Sequence, residues 1–125
     1  MAGKLKASEW IWRDGEFVKW EDATVHLLSL AVQFGISQFE GVRCYDTPKG
    51  PCIFRLDAHI QRLMNSCKIY RMEPDYSLES ISEACRAVVE KNNLKNCYIR
   101  PMVYRGYGAA GLNPEGSPIE TAIPT

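Results

Sequence analysis

The sequence predicts an α+β fold in which two helices pack on one side of a mainly antiparallel sheet. Three observations support this prediction. A strand pair joined by Asp14-Gly15 opens the chain, two segments with apolar residues at helical spacing occupy its middle, and strand-like segments return from residue 97 onward. Because the strands come in runs and do not alternate with helices, an antiparallel sheet is favoured over a parallel one.

The composition narrows the class of protein. The 125 residues suit one domain with a modest core. Fifteen basic residues balance fifteen acidic ones, which argues against a nucleic-acid-binding protein. No apolar run approaches the roughly 20 residues that span a bilayer, and no apolar segment follows the lysines near the N-terminus as in a secretory signal. We therefore expect a soluble cytoplasmic protein.

The cysteines do not indicate a metal site. Their number is odd, no pair has the C-x-x-C spacing, and only two histidines are available as further ligands. We expect them to be buried small hydrophobic residues in a reducing compartment. They are Cys44, Cys52, Cys67, Cys85 and Cys97.

The first elements are a β-hairpin and a short helical or irregular segment. Trp10–Arg13 and Glu16–Trp20 are the predicted strands of the hairpin, because the Asp-Gly pair between them adopts the positive φ angles of a tight two-residue turn. The following segment is expected to run through Leu27 to Phe34 and to end at Gly35. A strand should come next.

That strand, Phe39–Tyr45, is the first candidate for a functional site. Alternate residues of a strand share a face, so Phe39, Gly41, Arg43 and Tyr45 should point one way, and Glu40, Val42 and Cys44 the other. Glycine is frequent where another group approaches the backbone closely, and an arginine beside it offers planar donors to a carboxylate or phosphate. The pattern predicts one wall of a small-molecule site. A bulge glycine beside a surface arginine is the alternative.

Two helices are expected after a turn at residues 47–51 and a second hairpin strand at Cys52–Arg55. Asp57 can cap the first helix, and Ser77 can cap the second, with Glu79 in its first turn. Asn92-Asn93 ends the second helix. The apolar stripe of the first helix comprises Ile60, Leu63, Met64 and Cys67, and that of the second comprises Leu78, Ile81, Ala84, Cys85, Val88 and Val89.

Three further polar side chains are candidates for anion contacts. Arg62 borders the apolar stripe of the first helix and could reach inward to a phosphate, although pairing with an acid or extending into solvent is the alternative. In the predicted strand Cys97–Tyr104, Tyr98 and Arg100 share a face and could orient a carboxylate together. The alternative is an exposed amphipathic face. Pro101 cannot donate to a strand ladder, so this strand must be an edge or contain a local break.

The C-terminal part of the sequence offers no catalytic group. Residues 106–111 have the G-x-G-x-x-G pattern, but prolines follow where a nucleotide-binding motif would begin a helix. No serine has the setting of an activated nucleophile, and no lysine lies in an evidently apolar segment. The last residues, Thr121–Thr125, resemble the start of a strand. From the residues alone, a fragment of a longer protein and a frayed tail are both open explanations.

Five motifs together resemble the N-terminal part of branched-chain amino acid aminotransferases, which are class IV (fold type IV) transaminases that depend on pyridoxal phosphate. They occur in the family's order at compatible spacings and span nearly the whole chain. The motifs are Trp10-Ile-Trp-Arg-Asp-Gly-Glu-Phe-Val-Lys-Trp-Glu-Asp-Ala, Phe39-Glu-Gly-Val-Arg-Cys-Tyr, His59-Ile-Gln-Arg-Leu, Tyr98-Ile-Arg-Pro and Gly111-Leu-Asn-Pro.

The resemblance implies a small N-terminal α+β domain, with the cofactor held between it and a larger C-terminal domain. Residues 1–125 correspond to the small domain, so the resemblance favours a fragment. The intact enzyme would exchange an amino group between leucine, isoleucine or valine and 2-oxoglutarate, and would form homodimers or larger homo-oligomers. A D-amino acid aminotransferase, an aminodeoxychorismate lyase of the same fold, and a free-standing ligand-binding or dimerisation module are the alternatives.

The resemblance also assigns roles to individual residues. Arg62 matches the arginine that holds the cofactor phosphate. Phe39 and Gly41 match residues that line the substrate pocket, and Arg43 matches an arginine near this pocket and the dimer contact. No residue of this chain matches a catalytic role.

Four other residues correspond to substrate contacts in the family. Tyr98 matches a tyrosine that helps to bind the substrate carboxylate, and Arg100 matches the arginine that accepts the side-chain carboxylate of glutamate. Leu112 matches an apolar residue that a neighbouring subunit adds to the pocket. Phe34 stands where many members have a tyrosine that also reaches the neighbour's pocket, so the hydrogen bond of that hydroxyl is lost here.

The family's cofactor-binding lysine has no counterpart among the lysines of this chain and is expected in the C-terminal domain. Cofactor chemistry needs that lysine to bind the aldehyde and to move a proton. We therefore expect this segment alone to have no transaminase activity, and it need not retain the cofactor.

Overall fold

The computed structural model describes residues 6–108 and 113–125. This part of the chain forms two antiparallel sheets and three α-helices, with a single turn of 3-10 helix at Trp20–Asp22. The strands are β1 (Trp10–Arg13), β2 (Glu16–Lys19), β3 (Ser37–Phe39), β4 (Val42–Thr47), β5 (Gly50–Ile53), β6 (Cys97–Ile99), β7 (Met102–Arg105) and β8 (Ile119–Ile123). The helices are α1 (Leu30–Phe34), α2 (Leu56–Ile69) and α3 (Leu78–Lys91).

The strands are divided between a five-stranded sheet, in the order β2-β1-β8-β7-β3, and a three-stranded sheet, in the order β5-β4-β6. All the pairings described are antiparallel, which confirms the predicted fold class. The N-terminal hairpin is confirmed as well. Its turn residues Asp14 and Gly15 have φ angles of 46° and 92°, as the tight turn requires.

The predicted single strand Phe39–Tyr45 is wrong, because the chain bends at Glu40-Gly41 and passes from one sheet to the other. β3 pairs with β7 in the large sheet, and β4 pairs with β6 in the small one. The register continues across the bend: Phe39 lies opposite Met102, Val42 lies opposite Ile99, and two residues separate these positions on each strand. One bent two-stranded ribbon therefore joins the two sheets.

The partner strand breaks at the same level. Pro101 is buried between β6 and β7, which confirms the local break predicted there and shows that Cys97–Tyr104 is not one strand. Because proline has no N–H, the ladder cannot continue in the usual way. The Pro101 carbonyl still accepts a hydrogen bond from the Glu40 N–H at 3.0 Å. This bond ties the two bends together.

The two long helices pack on one side of the three-stranded sheet, as predicted. Ser77 caps α3 by accepting a hydrogen bond from the Ser80 N–H, and α3 ends before Asn92. The predicted cap of α2 is wrong. This helix starts at Leu56, one residue before Asp57, and its N-cap position is Arg55 in a left-handed conformation with no side-chain cap.

The main core lies between these helices and the inner faces of β4, β6, β1 and β8. Val42, Cys44 and Ile99 point into it, so the residues that alternate with them in the small sheet point away from the helices. The core comprises Trp12, Val42, Cys44, Leu56, Ile60, Ile81, Ala84, Cys85, Val88, Val89, Ile99 and Ile123.

The cysteine prediction is only partly correct. Cys44, Cys67 and Cys85 are buried, Cys97 is half-buried, but Cys52 is exposed, because it lies opposite Tyr45 on the face of the small sheet that points away from the helices. Burial raises the pKa of the Cys85 thiol to about 12 and that of Cys67 to about 11, which keeps both protonated. In the described part of the chain, no helix has both the length and the hydrophobicity needed to cross a bilayer.

Candidate functional site

The helix-free face of the small sheet carries the side chains predicted to form a site. Arg43 lies directly opposite Tyr98 in the β4–β6 pairing, and both side chains are exposed. The Arg43 guanidinium carbon is 6.0 Å from the centroid of the Tyr98 ring. Arg43 and Tyr98, which the sequence singled out on separate strands, are therefore neighbours in the small sheet.

Arg100 links this pair to Phe39. Its Nη2 donates a hydrogen bond to the Tyr98 hydroxyl at 3.0 Å, and its guanidinium carbon lies 4.5 Å from the Phe39 ring centroid and 5.2 Å from that of Tyr98. At these distances the guanidinium makes cation–π interactions with both aromatic rings, and it lies between them. The sequence prediction put Phe39 on this face because it treated Phe39–Tyr45 as one strand. Phe39 instead lies in β3 of the large sheet, and it contacts the cluster through the Arg100 guanidinium.

Gly41 is needed because Tyr98 occupies the space beside it. A Cβ at position 41 would overlap the Tyr98 hydroxyl and lie 2.8 Å from the Tyr98 Cζ. The expected close approach to the backbone is therefore made by a phenol of the same chain. Gly41 thus leaves room for the Tyr98 ring, whose hydroxyl accepts the hydrogen bond from Arg100.

On the helix side of the bend, Glu40 holds two basic residues of α2. Arg62 donates from Nε to Glu40 Oε1 and from Nη2 to Glu40 Oε2, both at 2.7 Å, and His59 Nδ1 lies 2.9 Å from Oε2. The Glu40 side chain is only 6% exposed, whereas that of Arg62 is 67% exposed. Two arrangements were given as the alternative to phosphate binding, pairing with an acid and extension into solvent. Arg62 shows both of them.

Arg62 and His59 also line a shallow pocket of about 220 Å³, together with Arg55 and Ala58. Three basic side chains around one small pocket suit an anion. A larger cleft of about 630 Å³ lies on the other side of the small sheet, between β5 and the end of α3, and none of the predicted site residues that the structure describes lines it. Most of the described side chains that the sequence singled out for binding therefore lie near the bend and not at the larger cleft.

The strand pattern missed Glu40 as a functional residue. It occupies a position of the β3–β4 segment that faces the helices, where a charged side chain is costly unless it is paired. An acid at such a position implies a cationic partner, and this signal could have indicated Arg62. The hydrogen bonds from Arg62 hold the pKa of Glu40 below its ordinary value of 4.5 against the opposing effect of burial.

This lowered pKa predicts a loss of stability in acid. The stabilising contribution of ionised Glu40 is full above its unfolded pKa and disappears as the pH falls through its lower folded pKa. We expect Glu40→Gln to be less stable than the parent at neutral pH and to lose less stability on acidification from about pH 6 to pH 3. Thermal unfolding midpoints over this range measure the difference.

Glu83→Gln is the matched control, because Glu83 is exposed on α3. Its acid dependence should follow that of the parent protein. If Glu40→Gln loses as much stability in acid as the parent does, the ion pair is not the source of that acid sensitivity.

Two of the expected substrate contacts need separate mention. Phe34 is the last residue of α1 and is 48% exposed, and none of the ring or cation–π pairs between described residues includes it. Leu112 lies outside the described residues. Both were assigned to a neighbouring subunit's pocket, so their role in this site stays a prediction.

The chain is similar to known aminotransferases. Residues 37–124 match the family described as amino-transferase class IV. The branched-chain-amino-acid aminotransferase of Salmonella typhimurium is 51% identical over 109 residues, which cover 87% of this chain and 35% of that protein. The enzyme of the same name from Pseudomonas aeruginosa is 50% identical over 113 residues, which cover 90% and 37%.

Solved structures show the same likeness. The Escherichia coli branched-chain amino acid aminotransferase superimposes with a TM-score of 0.90 at 47% identity, over 94% of this chain and 39% of that one. A second branched-chain amino acid aminotransferase, complexed with N-(5'-phosphopyridoxyl)-L-glutamate, gives a TM-score of 0.89 at 43% identity, over 94% and 40%. The chain thus spans about two fifths of the length of these proteins.

Proposed function

The chain belongs to the class IV aminotransferase family, and on this premise we propose that it is the N-terminal domain of a branched-chain amino acid aminotransferase. The whole protein would exchange an amino group between leucine, isoleucine or valine and 2-oxoglutarate. It would act in the cytoplasm as a homodimer or larger homo-oligomer. The described face at the bend would form part of its substrate site.

The observation that carries this proposal is the cluster of Tyr98, Arg100 and Phe39. Arg100 uses one donor on the Tyr98 hydroxyl, and a guanidinium has further N–H donors for a carboxylate. Phe39 is 54% exposed beside it and offers an apolar wall to a branched side chain. One cluster could therefore hold the two kinds of side chain that such an enzyme must accept, an apolar one and a carboxylate.

The donor set at the second side of the bend fits the phosphate of pyridoxal phosphate. Arg55, His59 and Arg62 surround the small pocket, and Arg62 is the residue that would bind the phosphate. When bound, the cofactor would supply the electron sink for changes at the substrate's α-carbon. The titratable groups of this chain would bind and orient the cofactor and the substrate. They would not supply the reactive lysine, since no lysine here matches the family's cofactor lysine.

The residues of this domain would divide the work of binding. Tyr98 would hold the substrate's α-carboxylate, and Arg100 would hold the side-chain carboxylate of glutamate. Phe39 would exclude water from the apolar part of the pocket, and Gly41 would keep Tyr98 in place. Arg43 would lie at the rim near the subunit contact, while Phe34 and Leu112 would complete a neighbouring subunit's pocket.

Incubation of the full-length protein with L-leucine, 2-oxoglutarate and pyridoxal phosphate should produce glutamate. The 125-residue segment alone should produce none, because none of its lysines matches the family's cofactor lysine. D-leucine is the control for a D-amino acid aminotransferase and should not react. Absence of glutamate from the full-length reaction would contradict the proposal, and a reaction with D-leucine alone would favour the other enzyme of this fold.

A further inference from the structure

Glu40 is a buried acid whose two oxygens are both used by basic residues of α2. Oε1 accepts from Arg62 Nε, while Oε2 accepts from Arg62 Nη2 and lies 2.9 Å from His59 Nδ1. An ionised carboxylate only accepts hydrogen bonds, so His59 must carry its proton on Nδ1 in this arrangement. Glu40 thereby fixes both the ring orientation and the tautomer of His59.

The same contacts fix which donors stay available. Glu40 takes the side-on edge of the Arg62 guanidinium, formed by Nε and Nη2, in a bidentate pair. No hydrogen bond from Nη1 to another described residue is present. The end-on edge of the guanidinium, Nη1 with the second hydrogen of Nη2, is thus left for a ligand in the pocket that Arg62 lines.

The backbone holds Glu40 firmly enough to act as a support. Its N–H donates to the Pro101 carbonyl at 3.0 Å, and its side chain is almost completely buried. By contrast, Arg62 is largely exposed on α2 and has a long side chain with many rotamers. Without a fixed partner, Arg62 would lose this freedom only when the ligand binds, at a cost to affinity.

We propose that Glu40 is a positioning residue that pre-orients Arg62 and His59 toward a phosphate group in the pocket beside α2. This role rests on the proposed function, since it takes the phosphate to be that of pyridoxal phosphate. Glu40 does not itself touch the ligand. It acts by directing the free edge of Arg62.

The test compares a ligand with a phosphate and one without. Full-length apoprotein is titrated with pyridoxal phosphate and with pyridoxal, and binding is followed by the absorbance of the bound cofactor. Glu40→Gln should weaken binding of pyridoxal phosphate by about tenfold, because one charge-assisted bidentate contact no longer fixes Arg62. Binding of pyridoxal should not change. Glu40→Asp, which keeps the charge but cannot span the same distance, should show the same selective loss.

A double-mutant cycle shows whether Glu40 acts through Arg62. Once Arg62→Ala is present, adding Glu40→Gln should cause a much smaller loss of pyridoxal phosphate affinity than it does in the parent protein, because only the contact to His59 remains to be lost. The matched control is Glu120→Gln, because Glu120 also pairs with an arginine, Arg13, but lies on β8 outside the pocket. This control should bind both ligands like the parent protein.

Three results would overturn the role of Glu40. They are equal losses for pyridoxal phosphate and pyridoxal, losses that add fully to those of Arg62→Ala, and unchanged binding by both Glu40 variants. In each case the parent protein still binds the cofactor, so the proposed function stands. If the parent protein binds no pyridoxal phosphate, the proposed function fails and the role of Glu40 fails with it.

Discussion

Arg100→Ala should reduce kcat/KM of the full-length enzyme for glutamate by about a hundredfold, while the value for leucine changes far less. The physical reason is that Arg100 is the described cation held between Phe39 and Tyr98, and a lost charge-assisted bond to a substrate carboxylate costs about 3 kcal/mol. Leucine has no carboxylate at that end. Initial rates with each amino donor measure the ratio.

Tyr98→Phe is the control for this experiment. It removes the hydroxyl that accepts from Arg100 but keeps the ring and the guanidinium. Since Tyr98 is proposed to hold the carboxylate shared by all amino acids, this variant should weaken glutamate and leucine to a similar extent. Equal losses of both substrates in Arg100→Ala would refute the separate role of Arg100.

Gly41→Ala should destabilise the domain by about 1–3 kcal/mol and also disturb the substrate cluster. The added methyl group would overlap the Tyr98 hydroxyl and Cζ, so the ring must move away from its place beside Arg100. The midpoint of thermal unfolding should therefore fall, and KM for both amino donors should rise.

The Tyr98→Ala background provides the matched comparison. Without the ring, position 41 has room for a methyl group, so Gly41→Ala should cost much less there. A penalty of the same size in both backgrounds would show that the backbone at Gly41, and not the Tyr98 ring, demands glycine.

The sequence could predict the features that depend on neighbouring residues. The Asp-Gly turn of the first hairpin, the Ser77 cap and the apolar stripes of α2 and α3 all arise from interactions within a few positions, and the structure contains each of them. The pairing of Tyr98 with Arg100 was also predictable, because the two residues are close in sequence and project to the same side.

The bend could not be predicted in the same way. Glu40 and Gly41 continue an extended segment in sequence, and only the pairing of β3 with β7 and of β4 with β6 shows that the ribbon leaves one sheet for the other. The Glu40–Arg62 pair is separated by 22 positions, so its formation depends on how α2 packs against the strands. The prediction for α2 also missed Arg55 as N-cap, since a left-handed arginine has no sequence signal.

The uninterrupted register of the bent ribbon restricts how this chain can change in length. One residue inserted or deleted between β3 and β4, or between β6 and β7, would turn the side chains beyond it to the opposite face. Arg43 or Tyr98 would then be driven toward the helices, and Val42 or Ile99 toward solvent. The turn between β4 and β5 can vary in length without this effect, whereas the bend cannot absorb an insertion or a deletion.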